Sequence, residues 1–474
     1  MTTQCTPGQL EFQSFGRRQV TGRFDGGRLT SDAGGLLLRE VAQRLHLFPR
    51  LAECFTDHRQ AGKVAHPVAA LLAQRVYGLA LGYEDINDHD RLRHDSLLAL
   101  RVGKADLTGE SRRRVRDKGF PLAGSSTLNR LELGVPEQVR CHRYQKVVAS
   151  AEALDWLLAA VFLESYDRPP SEVWLDLDAT DDPVHGEQEG RFFHGYYKSY
   201  CYLPLSIFCG EHLLCARLRS ADQDAAAGSV AEVSRLVGQI RRRWPEVRVI
   251  VRGDSGFCRD DLMAWCEARG VGYLFGLATH DRLEAMIAKA LRKSHRRYLK
   301  TKRAARRFRE LRYRTRTSGS RTRRVVAKAE HLAKGPNPRF VVTHLSPQTA
   351  GAQALYEDLY CARGEMENRI KEQQLDLFAN RTSTATLRAN QLRLYLSSFA
   401  YLLMHGWRRL GLVGTRWARA QCGTLRTQIL KLAAAVRITA RRVWLAFASG
   451  YPYQSDFAAV LRHLHNPPAH APPG

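Results

Sequence analysis

Two hydrophobic periods divide the chain. Near the amino end, apolar residues recur three and four apart. "TSDAGGLLLREVAQRL" predicts a helix capped by Ser31 or Asp32, and "HPVAALLAQRVYGLAL" predicts a second. From residue 172 the period shortens to two. "EVWLDLDAT" sets Val173, Leu175 and Leu177 on one face and Trp174, Asp176 and Asp178 on the other, as in a half-buried strand. The strand-like runs "GYYKSYCYLPLSIFCG" and "HLLCARLRS" follow, with turn residues but no helix between them. Next come a helix ("AAAGSVAEVSRLVGQIRRRW"), a strand ("VRVIVRGDSGF"), a helix ("RDDLMAWCEARG") and a strand ("GYLFGLA"). This order predicts a mixed α/β domain. "RFVVTHL" reads as a further strand. The chain to about residue 465 reads as largely helical, through "LRANQLRLYLSSFAYLLMHGW" and "TLRTQILKLAAAVRITARRVWLAF". The tail "NPPAHAPPG" has the composition of a disordered segment.

Charge changes the picture more than composition does. The 474 residues are 44% hydrophobic, as is ordinary for a globular chain, but 73 Lys and Arg against 47 Asp and Glu leave a net charge of +26. That excess points to a polyanionic partner, DNA first, rather than to a membrane surface. Nineteen of the basic residues fall in 289–334, against two acidic ones. "RRFRELRYRTRTSGSRTRRVVAKAEHL" alternates around a "TSGS" turn, which predicts a basic hairpin with Arg312, Arg314 and Arg316 on phosphates. Ten scattered cysteines with no C-x-x-C pair argue against a zinc ribbon or a disulfide framework and for a reducing cytosol. With no signal-peptide core and no apolar run of ~18–20 residues, a cytoplasmic, nucleoid-associated protein is expected.

Asp178 closes the first predicted strand of the α/β domain and Asp254 the fourth. Ligands gather at the carboxyl ends of strands in an open α/β sheet, so the two carboxylates converge if these strands are neighbours. A third carboxylate comes from "LYCARGEMENRIKEQQL" (359–375). At 100° per residue, Tyr360, Arg363, Glu367, Lys371 and Gln374 fall within roughly 80°, beside an apolar stripe of Leu359, Ala362, Met366, Ile370 and Leu377. A plain solvated face with pairs three and four apart would give the same spacing. Three carboxylates prefer hard cations, Mg²⁺ or Mn²⁺, and two ions ~3.5–4 Å apart suit phosphoryl transfer. Glu367 would then hold metal while Tyr360, Arg363 and Lys371 touch phosphates. Asp176 is the decoy on the same strand face, and Asp181 and Asp182 read as turn residues. The Asp- and His-rich "GYEDINDHDRLRHD" reads as a surface loop rather than a metal site. Ser125, Ser126 or Thr127 opens a helix as a plain cap or as a phosphate contact.

These residues resemble the DDE transposases of bacterial insertion sequences, in particular the insertion-sequence thirteen-eighty group, a relative of the insertion-sequence four group. Its signature is Y-x2-R-x3-E-x6-K. Tyr360, Arg363 and Glu367 match, whereas Gln374 holds the lysine slot and Lys371 lies a turn earlier. "DAT" after Asp178's strand, "RGDSGF" and the amino-terminal "GGRLTSDAGGLLL" and "LALGYEDINDHDRLRHDSLLALR" are also similar to this group. The resemblance implies an RNase H-like mixed sheet within 166–380, with a basic β insertion at about 280–345. A mainly helical DNA-binding region (1–165) would precede it, and a helical region (381–474), with dimerisation as one role, would follow. It further implies cleavage at terminal inverted repeats and 3′-hydroxyl strand transfer into target DNA by a homodimer, with Asp178, Asp254 and Glu367 as ligands of two Mg²⁺ or Mn²⁺ ions. The alternatives are an RNase H-like nuclease and a non-catalytic DNA-binding protein. A haloacid-dehalogenase-like phosphatase would share the D-x-D-x-T of "DLDAT", but it needs crossover helices where residues 195–220 predict consecutive strands.

Overall fold

The strand β1 (Glu172–Ala179) has the predicted alternation: Val173, Leu175 and Leu177 are at most 2% exposed, while Trp174 and Asp178 face the other side. The computed structural model describes residues 8–134, 146–315 and 319–466. Arg316, expected on the basic hairpin, and the tail from residue 467 lie outside the described residues.

The chain divides into two compact units, each built from separated segments, and among the described residues β1 belongs to the larger one (49–59 and 130–405). Its principal sheet adds β2 (Leu205–Cys209), β3 (His212–Arg217), β4 (Arg248–Gly253), β5 (Gly272–Leu277), β6 (Ala305–Tyr313), β7 (Arg323–Leu332) and β8 (Arg339–Thr343). A two-residue strand at Gly335–Pro336 brings it to nine. The spatial order is β3-β2-β1-β4-β5-β8-β7-β6. β4 runs parallel to both β1 and β5, whereas β2 and β3 form an antiparallel meander beside β1. This is the order of an RNase H-like core. The consecutive antiparallel strands exclude the phosphatase alternative, whose parallel strands need a crossover helix at each step.

Parity along the central strands separates two apolar layers. Val249 and Val251 pack with Val173, Leu175, Tyr273 and Phe275 against the helices α1 (Ser229–Arg243) and α2 (Asp260–Ala268). Ile250 and Leu274 face the other way, onto Leu355 and Tyr356. Each side chain of this kind taken fully out of water contributes about 1.5–3 kcal/mol, so a one-residue slip of register would invert the layers at great cost. The basic stretch starts as a helix, α3 (Asp281–Thr301), and continues into the expected hairpin: β6 pairs antiparallel with β7 from Ala305–His331 to Tyr313–Arg323. β8 joins this hairpin to β5, so the basic strands extend the main sheet to its edge. Between β1 and β2, Asp182–Pro183, Ser199–Tyr202 and Phe192–His194 make a small antiparallel sheet.

The smaller unit (8–48, 60–129 and 406–466 among the described residues) holds the predicted helix Val68–Ala80, in which only Ala69 is not buried. Two expectations fail in this unit. "AAAVRITARRVWLAF" is not helical: Ala434–Ile438 and Val443–Phe447 pair antiparallel, and Leu29–Thr30 joins them. Val436, Ile438, Val443, Trp444 and Phe447 favour a pleated surface, and the burial alternates from Ala434 to Arg437. Ser31 and Asp32 do not cap the first helix, Leu36–Arg44, which a 3₁₀ turn at 33–35 precedes. Asp32 is buried instead, accepting from Tyr83 Oη at 2.6 Å and paired with Lys431 Nζ at 2.8 Å.

The Asp-rich loop of this unit is spent on helix ends. Asp85 and Asp88 form a capping box, and Asp95 accepts from the Leu97 and Leu98 amides. Asp90 accepts from the amide and hydroxyl of Ser125 at 2.9 and 2.7 Å. The helix start considered for a phosphate is therefore already met by a carboxylate. No helix among the described residues is long and apolar enough to cross a membrane.

Candidate active site

Strand register brings the first two aspartates together. β1 and β4 pair in parallel through Arg252 with Asp176 and Gly253 with Leu177. Asp254 follows β4 one step beyond this pairing, next in register to Asp178, and its charge acts on the Asp178 carboxyl. Asp254 is fixed there as the cap of a 3₁₀ turn, where its Oδ1 accepts from the Gly256 amide at 2.8 Å. Thr180 Oγ1 donates to Asp178 Oδ2 at 2.8 Å.

Glu367 arrives on α4 (Gly364–Leu377). Arg363 lies between the carboxylates: its Nη2 donates to Glu367 Oε1 at 3.0 Å, and its Nη1 is 3.4 Å from Asp178 Oδ1. Burial and the nearby Asp254 and Glu367 charges push the Asp178 carboxyl upward, against the pull of Arg363. Burial works against the Arg363 charge, yet the Asp178, Tyr360, Asp254 and Glu367 groups outweigh it and raise that pKa. Among the described residues no three His, Cys, Asp or Glu side chains stand at chelating distances from one another. The donor set is nevertheless hard-oxygen throughout, and the guanidinium among the three carboxylates is already a cation in the place where they would hold one.

The segment before α4 differs from the uniform helix expected. Ala352–Ala354 is α-helical, Leu355–Tyr360 forms a π turn and Cys361–Arg363 a 3₁₀ turn. Steps of 100° therefore hold only from Gly364 onward, and π and 3₁₀ turns aim Tyr360 and Arg363. Lys371 is exposed one turn beyond Glu367. Gln374, in the slot where the signature carries lysine, donates from Nε2 to the Asp181 carbonyl at 3.2 Å and so ties α4 to the chain leaving β1.

Asp176, the decoy, has a partner of its own. Arg252 grips it through Nε at 2.5 Å and Nη2 at 2.8 Å, with both side chains at most 8% exposed. Arg252 Nη1 also donates to the Leu359 carbonyl, and its guanidinium lies over the Trp174 ring. This arginine fastens the π turn to the sheet, and sequence reading did not single it out. The available signal was an arginine inside the strand with the same parity as Ile250, facing the polar side of β1. Gly276 was missed too. A Cβ there would lie 2.6 Å from Tyr360 Oη and 2.9 Å from the Ser255 amide, so a glycine inside the β5 strand lets Tyr360 and the Asp254 turn close onto the sheet. Asp182 is not a turn residue: it pairs with Tyr202, is 1% exposed, and burial pushes its carboxyl up to about 8.

Arg312 and Arg314 do not join this cluster. They are exposed at the far edge of the sheet, at and just beyond the end of β6. Elsewhere on the hairpin much of the charge is paired: Arg306 with Glu357, Arg323 with Asp260 and Glu267, and Arg324 with Glu310.

Comparison with curated proteins gives no match. A family model described as transposase DDE domain group 1 matches residues 12–469. That match runs from the first strand to beyond the last helix, and the chain belongs to the DDE transposase domain family it describes.

Proposed function

We propose that this chain cuts DNA at the ends of its own mobile element and joins the freed 3′-hydroxyl to a target phosphodiester. The observation that best supports this is the gathering of Asp178, Asp254 and Glu367 around Arg363, at the carboxyl ends of two adjacent parallel strands. On this reading the three carboxylates hold two Mg²⁺ or Mn²⁺ ions. When bound, such ions stabilise the attacking and leaving oxygens of an in-line displacement.

The protein's own contribution is placement. Strand register holds Asp178, a capped turn holds Asp254, and α4 carries Glu367 under the ties of Arg252 and Gln374. Arg363 and Tyr360 meet the phosphate beside the carboxylates, and Lys371 meets one a helical turn away. Arg312, Arg314 and Arg316 hold flanking DNA through its phosphates. A homodimer follows from the need to keep two element ends together, with 1–165 reading DNA and 381–474 serving in dimerisation. Membership of the insertion-sequence thirteen-eighty group rests on the signature around Glu367, in which Gln374 departs.

The test uses pre-cut terminal-repeat DNA with Mg²⁺. The wild-type protein should join it to a target duplex, whereas the same DNA ending in a dideoxynucleotide should bind equally and not be joined. Asp178→Ala, Asp254→Ala and Glu367→Ala should each bind and fail to join. Nicking without joining, on ends that the protein binds, would support the nuclease alternative and end this reading.

A further inference from the structure

The small sheet between β1 and β2 carries exposed aromatic rings that the core does not use, Phe193 and Tyr200 on one face and Phe192 on the other. Phe192, Phe193, Tyr196 and Tyr200 are 48, 50, 83 and 47% exposed, four large rings within nine residues. Phe193 and Tyr200 are cross-strand partners, their rings meeting edge to face at 5.5 Å. The Arg191 guanidinium lies 4.6 Å from the Tyr200 ring centre. At the tip, Tyr196 meets Tyr197 at 5.0 Å, and the exposed Lys198 adopts a left-handed conformation (φ 54°) that favours glycine.

The tip of this hairpin stands next to the strand end that carries Asp178. The Tyr197 hydroxyl lies 3.5 Å from the carbonyl of Ala179, the residue after Asp178. Burial and the charges of Asp181, Asp178 and Asp254 push its phenol up to about 12, so the hairpin tip lies within the field of the site. Paired DNA offers phosphates and groove edges, but base faces become available only where a strand is unpaired. Exposed rings interleaved with Arg191 and Lys198 match an unpaired strand in both shape and charge.

We propose that residues 191–200 form a binding site for unpaired nucleobases of the DNA strand entering the Asp178–Asp254 site, with Phe193 and Tyr200 as the stacking platform. The proposal rests on the reading above only in taking DNA as the substrate. It is tested by fluorescence anisotropy without divalent metal, comparing a blunt duplex with the same duplex bearing a single-stranded thymidine overhang. Stacking on aromatic side chains contributes a factor of roughly 5 to 150 per base, so the wild-type protein should bind the overhang tighter by at least about fivefold. Phe193→Ala with Tyr200→Ala should remove that preference and leave blunt-duplex affinity within about twofold. Phe193→Trp with Tyr200→Trp should keep it.

Equal binding of both DNAs by the wild-type protein overturns the proposal, as does a double alanine variant that weakens both alike. Loss of oligomer mass in light scattering, with the overhang preference intact, would make the surface a contact between copies and also overturn it. The joining assay reads the broader function separately. A chain that prefers overhangs yet never joins ends keeps this site and loses the strand-transfer reading, and the converse result does the opposite.

Discussion

Asp176→Ala separates the two aspartates that share one face of β1. The substitution leaves the Arg252 guanidinium buried with its bidentate partner gone. Removing one member of a buried pair costs about 3–5 kcal/mol, chiefly through the charge left behind. The larger unit holds roughly 290 residues, and at ~2.1 cal/mol/K per residue its unfolding entropy is about 0.6 kcal/mol/K. The melting midpoint should therefore fall by about 5–8 °C. Burial raises the Asp176 carboxyl against the pull of Arg252, so the pair itself contributes little net stability. Replacing both members, Asp176→Leu with Arg252→Met, should recover most of the loss. Asp178→Ala removes a carboxyl already raised by burial and by its acidic neighbours, and should change the midpoint by less than about 2 °C while abolishing joining. Scanning calorimetry and the joining assay, run well below the lower midpoint, check both halves. An Asp178→Ala protein as unstable as Asp176→Ala, or an Asp176→Ala protein that is fully stable and fails to join, would refute the division of roles.

Two further outcomes are expected. Arg309, Arg312 and Arg314 are exposed and make no ion pair among the described residues. Changing all three to Gln should flatten the slope of log affinity against log salt by up to about 2.7 units, and an unchanged slope would mean that this edge does not touch DNA. Asp182 has a folded pKa of about 8, above its unfolded value, so its contribution is most favourable at low pH and is lost as pH rises through about 4 to 8. Asp182→Asn should flatten the pH dependence of the melting midpoint across that window, and parallel curves for the two proteins would contradict the assignment.

Strand order and the placement of Asp178 and Asp254 were legible because alternation over "EVWLDLDAT" and "VRVIVRGD" is a local property that tertiary contacts reinforce. Other features were not local. The 434–447 hairpin turns at Thr439–Arg442 without Gly or Pro, so its alanines and arginines pass for a helix until Leu29–Thr30 supplies a partner strand. The π turn at 355–360 depends on Arg252, a residue more than a hundred positions away that donates to the Leu359 carbonyl. The role of Gly276 is defined by what sits 2.6 Å from an atom it lacks. Arg316 and the tail lie outside the described residues, so neither bears on the comparison.

The basic hairpin has a consequence for the solution behaviour of the protein. β6 is the last strand of the sheet, nine residues long, and among the described residues no strand pairs with its outer side. An open edge of that length is a template onto which a second chain can add a strand. Arg307, Arg309 and Arg312 are exposed along it and make no ion pair among the described residues, so a second copy approaching edge to edge brings like charge against like charge. Such repulsion opposes pairing of the edge independently of any contact with DNA. Variants made to weaken a DNA grip here will therefore also remove the barrier to self-association. Glutamine replacements should raise turbidity on warming before they change the fold, whereas lysine replacements should stay clear.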